Sequence, residues 1–326
     1  MSKEIGRLVN IGIAKEAVRG VAESSMDFYV PWMEITDPDN KTDKVDNVTS
    51  LGRLEDSDGF ATINKYGQLG WKTKLKDIHP GLLLLSLTGS VSSVARSAPN
   101  AAVIDHTFSV LQSVQHPSLS LNFKDVNTDL VFPNAVVNTF KISATVDNYV
   151  MYEVATQSKA SAAGTNTVAY VQENDFLPEQ IVFKVATTQA GLDAAAAVDI
   201  LSFDLTINSN TSQDRALGSS TPVDIVNKQF SIEGSITLTH KDATYSVIQN
   251  TGVARAMRFD IIHSATIGST GHPELKIDLH KVDIFGYDRK IALDDLVEES
   301  FNFKAHFSTT DSKMATIVLT NTQVSY

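Results

Sequence analysis

Histidines, paired carboxylates and sharply turned nucleophiles are the usual parts of catalytic and metal sites, and this chain carries them only in scattered form. None of its eight histidines stands in an HExxH or other ligand spacing. His79, His116 and His272 each precede a proline, which favours an extended backbone, so they read as residues that open strands. No GxSxG elbow, P-loop or dinucleotide glycine fingerprint occurs. Asp37, Asp39 and Asp43 have the odd-position spacing of a calcium loop, but Thr42 stands where that loop needs glycine and Val48 where it needs glutamate. They read as an acidic surface loop, as do Glu55, Asp56 and Asp58. The chain has no cysteine, which removes thiol catalysis, thiolate metal sites and disulfides together. These residues point to a protein that is not an enzyme and needs no cofactor or metal.

With 326 residues, 42% of them apolar and 20% charged, the chain can bury one large core or two medium ones. Alternation with period two marks strands at residues 139–146, 201–207 and 301–307. The leucines between residues 82 and 87 form a run far short of the roughly 20 residues that a membrane span requires, and they read as a buried helix. That helix is expected over residues 77–87, with Asp77 as N-cap, Pro80 in the first turn and Gly89 past the end. A second is expected over residues 242–250, stopping at Gly252. Leu83, Leu84 and Leu87, then Tyr245 and Ile248, are their expected packing residues. Residues 1–7 lack the apolar stretch of an export signal. The net charge of −11, from 27 basic and 38 acidic residues, has the wrong sign for a surface that grips phosphates.

The two halves share their punctuation, which points to an internal duplication. Gly70 and Gly234 each follow an aromatic by four residues and open an alternating strand that closes on aspartate. Gly89 and Gly252 each end a helix-like stretch. Leu51 and Gly52 pair with Leu217 and Gly218, His116 and Pro117 with His272 and Pro273, and residues 140–144 with 301–305. Separations lie between 156 (116 to 272) and 166 (51 to 217). Residues 91–104 are longer than their counterpart, and residues 286–290 look inserted. The small, polar residues 158–167 read as a linker, placing the junction near Gly164.

These segments also resemble the tail tube proteins of long-tailed phages. The matching stretches are residues 12–22, Tyr29 to Trp32, residues 54–59, 81–85, 115–119, 173–178 and 190–195, Leu217 with Gly218, and residues 319–322. The resemblance covers essentially the whole chain and rests on many short matches. It implies two packed sheets flanked by one helix, agreeing with the strand and helix pattern. The expected fold is mainly β: two tandem tail-tube-like β-sandwich domains, residues 1–165 and 166–326, each with one flanking α-helix. The implied function is structural, as a virion protein forming stacked rings of a hollow tail tube, assembled in the host cytoplasm. With two domains per chain, three chains would close a pseudo-hexameric ring. Implied partners are further copies of the chain, the tape measure, the tail terminator and the baseplate. DNA would cross the lumen without specific binding, repelled by carboxylates, and no membrane is involved. By analogy with the family's long hairpin, residues 37–65 and 208–228 would reach the adjacent ring. The candidate stacking residues are Asp37, Asp39, Asp43, Asp46, Glu55, Asp56, Asp58, Gln213, Asp214 and Arg215. The alternatives weighed are a baseplate ring or tail-completion protein of related fold, and a β-sandwich hydrolase or carbohydrate-binding module.

Overall fold

Alternating apolar and polar residues set most of this chain into strands, and the computed structural model describes residues 5–326. The first half contains β1 (Asn10–Lys15), β2 (Phe28–Val30), β3 (Glu34–Thr36), β4 (Asn40–Asp46), β5 (Phe60–Lys74), α1 (Pro80–Thr88), β6 (Gly89–Ala95), β7 (Ile104–Val110), β8 (Leu119–Lys124), β9 (Asp129–Thr145), β10 (Met151–Lys159) and β11 (Ala162–Ala163). The second contains β12 (Ile181–Ala186), β13 (Ala197–Val198), β14 (Ser202–Asn208), β15 (Ser212–Asp214), β16 (Asp224–Val226), β17 (Ser231–Thr239), α2 (Thr244–Thr251), β18 (Arg255–Ile262), β19 (Glu274–Lys290), β20 (Glu298–His306) and β21 (Ala315–Asn321).

One antiparallel sheet runs through both halves in the order β5, β10, β9, β14, β17, β20, β19, with β3 and β4 beyond β5. At its centre β14 lies on β9, from Ser202 opposite Thr145 to Asn208 opposite Thr139. β9 and β19 have 17 residues each, long enough to serve two sheets. Their amino-terminal parts pair with β8 and β18 and begin a second layer. β7 extends that layer across the halves by pairing with β21, Phe108 opposite Ile317.

Apolar side chains of both halves form one continuous core. Phe259 shows the packing, with Phe183, Phe203 and Phe303 around it at ring separations of 5.0, 4.9 and 5.9 Å. Burying each such ring stabilises the fold by about 1.5–3 kcal/mol. α1 is apolar apart from Ser86 and Thr88, and every one of its residues, including Leu83, Leu84 and Leu87, is buried. α2 is amphipathic and buries only Tyr245 and Ile248, with Tyr245 stacked on Phe301 at 4.8 Å.

Several expectations need correction. Asp77 is not the N-cap of α1, because its carboxylate accepts from the backbone and side chain of Asn174 at 2.8 and 2.7 Å. His79 takes the N-cap place in the helical region, so it opens no strand. Glu173 holds it there, accepting from its backbone N–H at 2.6 Å and bonding its ring at 2.8 Å. On the other side of the ring, Nε2 meets the Tyr152 hydroxyl at 2.7 Å, which also accepts from Trp71. Residues 158–167 are not a free linker. Ser158 is buried within β10, β11 pairs with β9, and residues 173–176 bind back onto the first half through His79, Asp77, Lys76 and Leu75.

The repeat marks divide into two groups. Gly89 and Gly252 both close their helices in the left-handed conformation, with φ of 94° and 62°. After the helices the marks slip by one strand. Phe140 lies in β9, whereas Phe301 lies in β20. The strand matching β9 in length and neighbours is β19, and that matching β10, with nine residues each, is β20. The β6–β7 hairpin, present only after α1, explains the slip. Residues 286–290 form the distal end of β19, whose pairing with β20 shifts register between Phe285 and Asp288.

Two outcomes test this packing. Phe259→Ala is expected to cost about 3–5 kcal/mol and to lower one cooperative calorimetric transition, since a single core serves both halves; two resolved transitions in the wild type would contradict that. Asp260, in β18, is pushed up to about 7, by burial first and by the nearby Glu274 second, against Lys276 and Arg258. Its folded value thus exceeds its unfolded one, and stability falls as pH rises from about 4 through 7. Asp260→Asn is expected to raise the melting temperature more at pH 8 than at pH 5, and equal shifts would refute this.

Candidate assembly surfaces

Two arms leave the same end of the continuous sheet. In the first, β4 lies along the amino-terminal part of β5, from Asn40 opposite Gly67 to Asp46 opposite Phe60. Its tip, residues 47–59, is closed by the Asn47 N–H on the Gly59 carbonyl at 2.8 Å. The second is the β15–β16 hairpin, with residues 215–223 at its tip. Leu51 and Gly52 fall in one tip, Leu217 and Gly218 in the other.

The arms lie side by side, which sequence spacing did not show. Asn64, 1% exposed, donates to Asp43 at 2.9 Å and to Gln213 at 2.8 Å. The Lys65 N–H donates to the Ser220 carbonyl at 2.7 Å, and Arg215 to that of Ile63 at 2.9 Å. At the base of the second arm Asp224 accepts from Arg19, Gln115 and Asn134 at 2.9, 2.7 and 2.9 Å. Burial opposes its ionisation, but the bonds from Asn134 and Gln115 and the charge of Arg19 outweigh it and hold Asp224 below the usual carboxylate range. Arg19 also donates to the carbonyls of His116 and Ile225. Charged hydrogen bonds therefore brace the arms against the sheet.

The predicted stacking residues divide accordingly. Asp43 and Gln213 are half-buried between the arms, where they bind Asn64. Asp39, Asp46, Glu55, Asp56, Asp214 and Arg215 are exposed, as are Asp37, which pairs with Lys41, and Asp58, which pairs with Asn47. Apolar side chains beside them were missed. Val48, Leu51, Leu54 and Phe60 on the first arm and Leu217 on the second project into solvent. Their only sequence signal is that large apolar residues recur within an acidic, aperiodic segment.

The uncovered face of the continuous sheet carries a second pattern. Residues directly opposite one another run Glu34, Lys72, Glu153, Lys141, Thr206, Glu233, Lys304, Asp283 across eight strands. Each lysine faces at least one carboxylate, and Lys141 also reaches Asp204 at 3.1 Å. Such opposed cross-strand charges stabilise the pairing. The sheet ends in two edges with no strand partner among the described residues. One is the outer side of β3 and β4, and the other is the distal part of β19.

Among the described residues no three His, Asp or Glu side chains gather as metal ligands would, and no helix is long and apolar enough to cross a membrane.

The family model described as phage tail tube protein matches residues 6–305. No curated protein matches.

Asn64→Ala is expected to cost about 1–2 kcal/mol and to uncouple the arms. Hydrogen exchange checks this: protection should fall at residues 40–46 and 212–214 and hold in β14 and β17.

Proposed function

The chain belongs to the phage tail tube protein family, and from that premise we propose that its two halves are fused copies of one tube unit, three chains closing each pseudo-hexameric ring. As a family member it is a structural protein of the virion tail that self-assembles with other tail proteins. The observation that carries the finer reading is the pairing of β14 on β9 inside the chain. β3 precedes β5 as β14 precedes β17, and β9 matches β19 in length and neighbours. The internal seam is thus a template for closure: β3 of one chain adds to the free edge of β19 on the next. The two edges also differ in charge: residues 34–46 carry five carboxylates against Lys41 and Lys44, whereas the distal part of β19 balances Asp283 and Asp288 with Arg289 and Lys290. Heterologous contacts of this kind close into rings and repeat axially. Strand addition consumes edges that would otherwise aggregate.

The arms, residues 37–65 and 208–228, extend from one end of the sheet and supply axial contacts through their exposed apolar tips. The uncovered face lines the channel. Its lysines are neutralised by adjoining carboxylates, so passing phosphates meet no unpaired row of cations. Non-adhesion then follows from balanced charge, with a small acidic excess, more than from a wholly acidic wall. Tape measure, terminator and baseplate proteins are the partners at the ends and within, and assembly takes place in the host cytoplasm.

Native mass spectrometry of isolated rings is expected to give three copies; six would overturn the fused-pair reading. Glu153→Gln leaves Lys72 and Lys141 less compensated. Tubes of this variant should retain double-stranded DNA at low ionic strength and release it in salt, while wild-type tubes retain none. Equal retention by both would remove the channel assignment of this face.

A further inference from the structure

A cleft of about 570 Å³ lies between the halves, at the arm end of the molecule. The residues lining it include the apolar Val114, Phe230 and Phe307 and the basic Lys228 and Lys313. Asn227 also lines it. That residue is 6% exposed, yet neither its Oδ1 nor its Nδ2 has a hydrogen-bond partner. Unpaired buried polar atoms mark this wall as incompletely packed in the single chain.

The matching surface lies at the opposite end of the same strands. β19 and β20 form a hairpin whose tip is residues 291–297, beyond the Lys290–Glu298 pair. Ile291, Leu293 and Leu296 there are exposed, Leu293 at 98%, and Asp294 and Asp295 stand between them. The tip is therefore apolar and acidic where the cleft is apolar and basic. β20 runs from the tip to His306, immediately before Phe307 in the cleft wall. Nine strand residues hold the two surfaces about 30 Å apart, so a chain cannot fill its own cleft.

We propose that the hairpin tip at residues 291–297 of one chain seats in this cleft on the next chain along the tube axis. Leu293 and Leu296 enter between Phe230 and Phe307, and Asp294 and Asp295 approach Lys228 and Lys313. The docking rests on the tube reading and adds a plug-and-socket contact, separate from the arms, at every ring-to-ring step. It fixes polarity as well: tip and cleft face opposite ways, so rings join only head to tail.

Charge reversal tests the contact. Lys228→Glu with Lys313→Glu, or Asp294→Lys with Asp295→Lys, should each stop wild-type-like tubes at the ring stage in negative stain. Mixing the two double variants should restore the tip-to-cleft attraction and return alternating cylinders. Tubes of normal length from either double variant alone would overturn the proposal. Because the chain has no cysteine, a folding-neutral check is available. Val114→Cys with Leu293→Cys should give a ladder of disulfide-linked chains in oxidised tubes and only monomer in dispersed protein. Intact tubes without a ladder would sink the docking alone. Wild-type protein that forms neither rings nor tubes with its tail partners would instead sink the tube reading and the docking with it.

Discussion

A β-sheet that does not close on itself leaves a row of unpaired N–H and C=O groups at each end, and that constraint governs this molecule. The β9–β14 seam joins the halves into one sheet by main-chain hydrogen bonds. It thereby reduces four potential edges to two. Those remaining differ in character, one short and acidic at β3 and β4, the other long and charge-balanced at the end of β19. High net charge and short or charged edge strands oppose aggregation of a monomer with such edges. The same features make the edges specific once another copy presents the complementary one.

Buried polar groups do the local positioning. Glu173, in the connection between halves, reaches the amino-terminal end of α1 through His79 and, beyond it, Tyr152 and Trp71. Leaving any of these unpaired inside the core would cost more than the bond itself contributes, so the connection cannot drift. Asp224 plays a similar part for the second arm. Rigid arm bases matter because ordering a loose hairpin at an interface subtracts from the affinity it can deliver.

Much of this was legible in the sequence. Period-two alternation found strands such as β14 and β20, and the leucine run found α1 with its glycine stop. The acidic arm segments were read as surface, and of the predicted carboxylates on them all but Asp43 are exposed. What periodicity does not encode is partnership between distant segments. Asp77 has the type and place of an N-cap, but a competing partner, Asn174, lies 97 positions away. The slip in the repeat marks has a similar origin, since His-Pro and Phe-rich strands recur in any β protein and the extra β6–β7 hairpin shifts the frame without a compositional signal. Main-chain seams such as β7–β21 and β9–β14 leave no trace in side-chain pattern at all, because their bonds are made by atoms common to every residue. The exposed leucines of the arm tips escaped for the opposite reason, being read as loop and passed over in favour of the carboxylates beside them.

The β6–β7 hairpin belongs to the first half but extends the second layer of the other, away from the charge-paired face. In the proposed three-chain ring the inner wall would repeat twice per chain, while the outer surface would repeat once. There, a molecule travelling through the bore and a protein gripping the exterior would meet different symmetries of the same object. In such a ring, joining the halves would give the outside an address at every second position and leave the passage even.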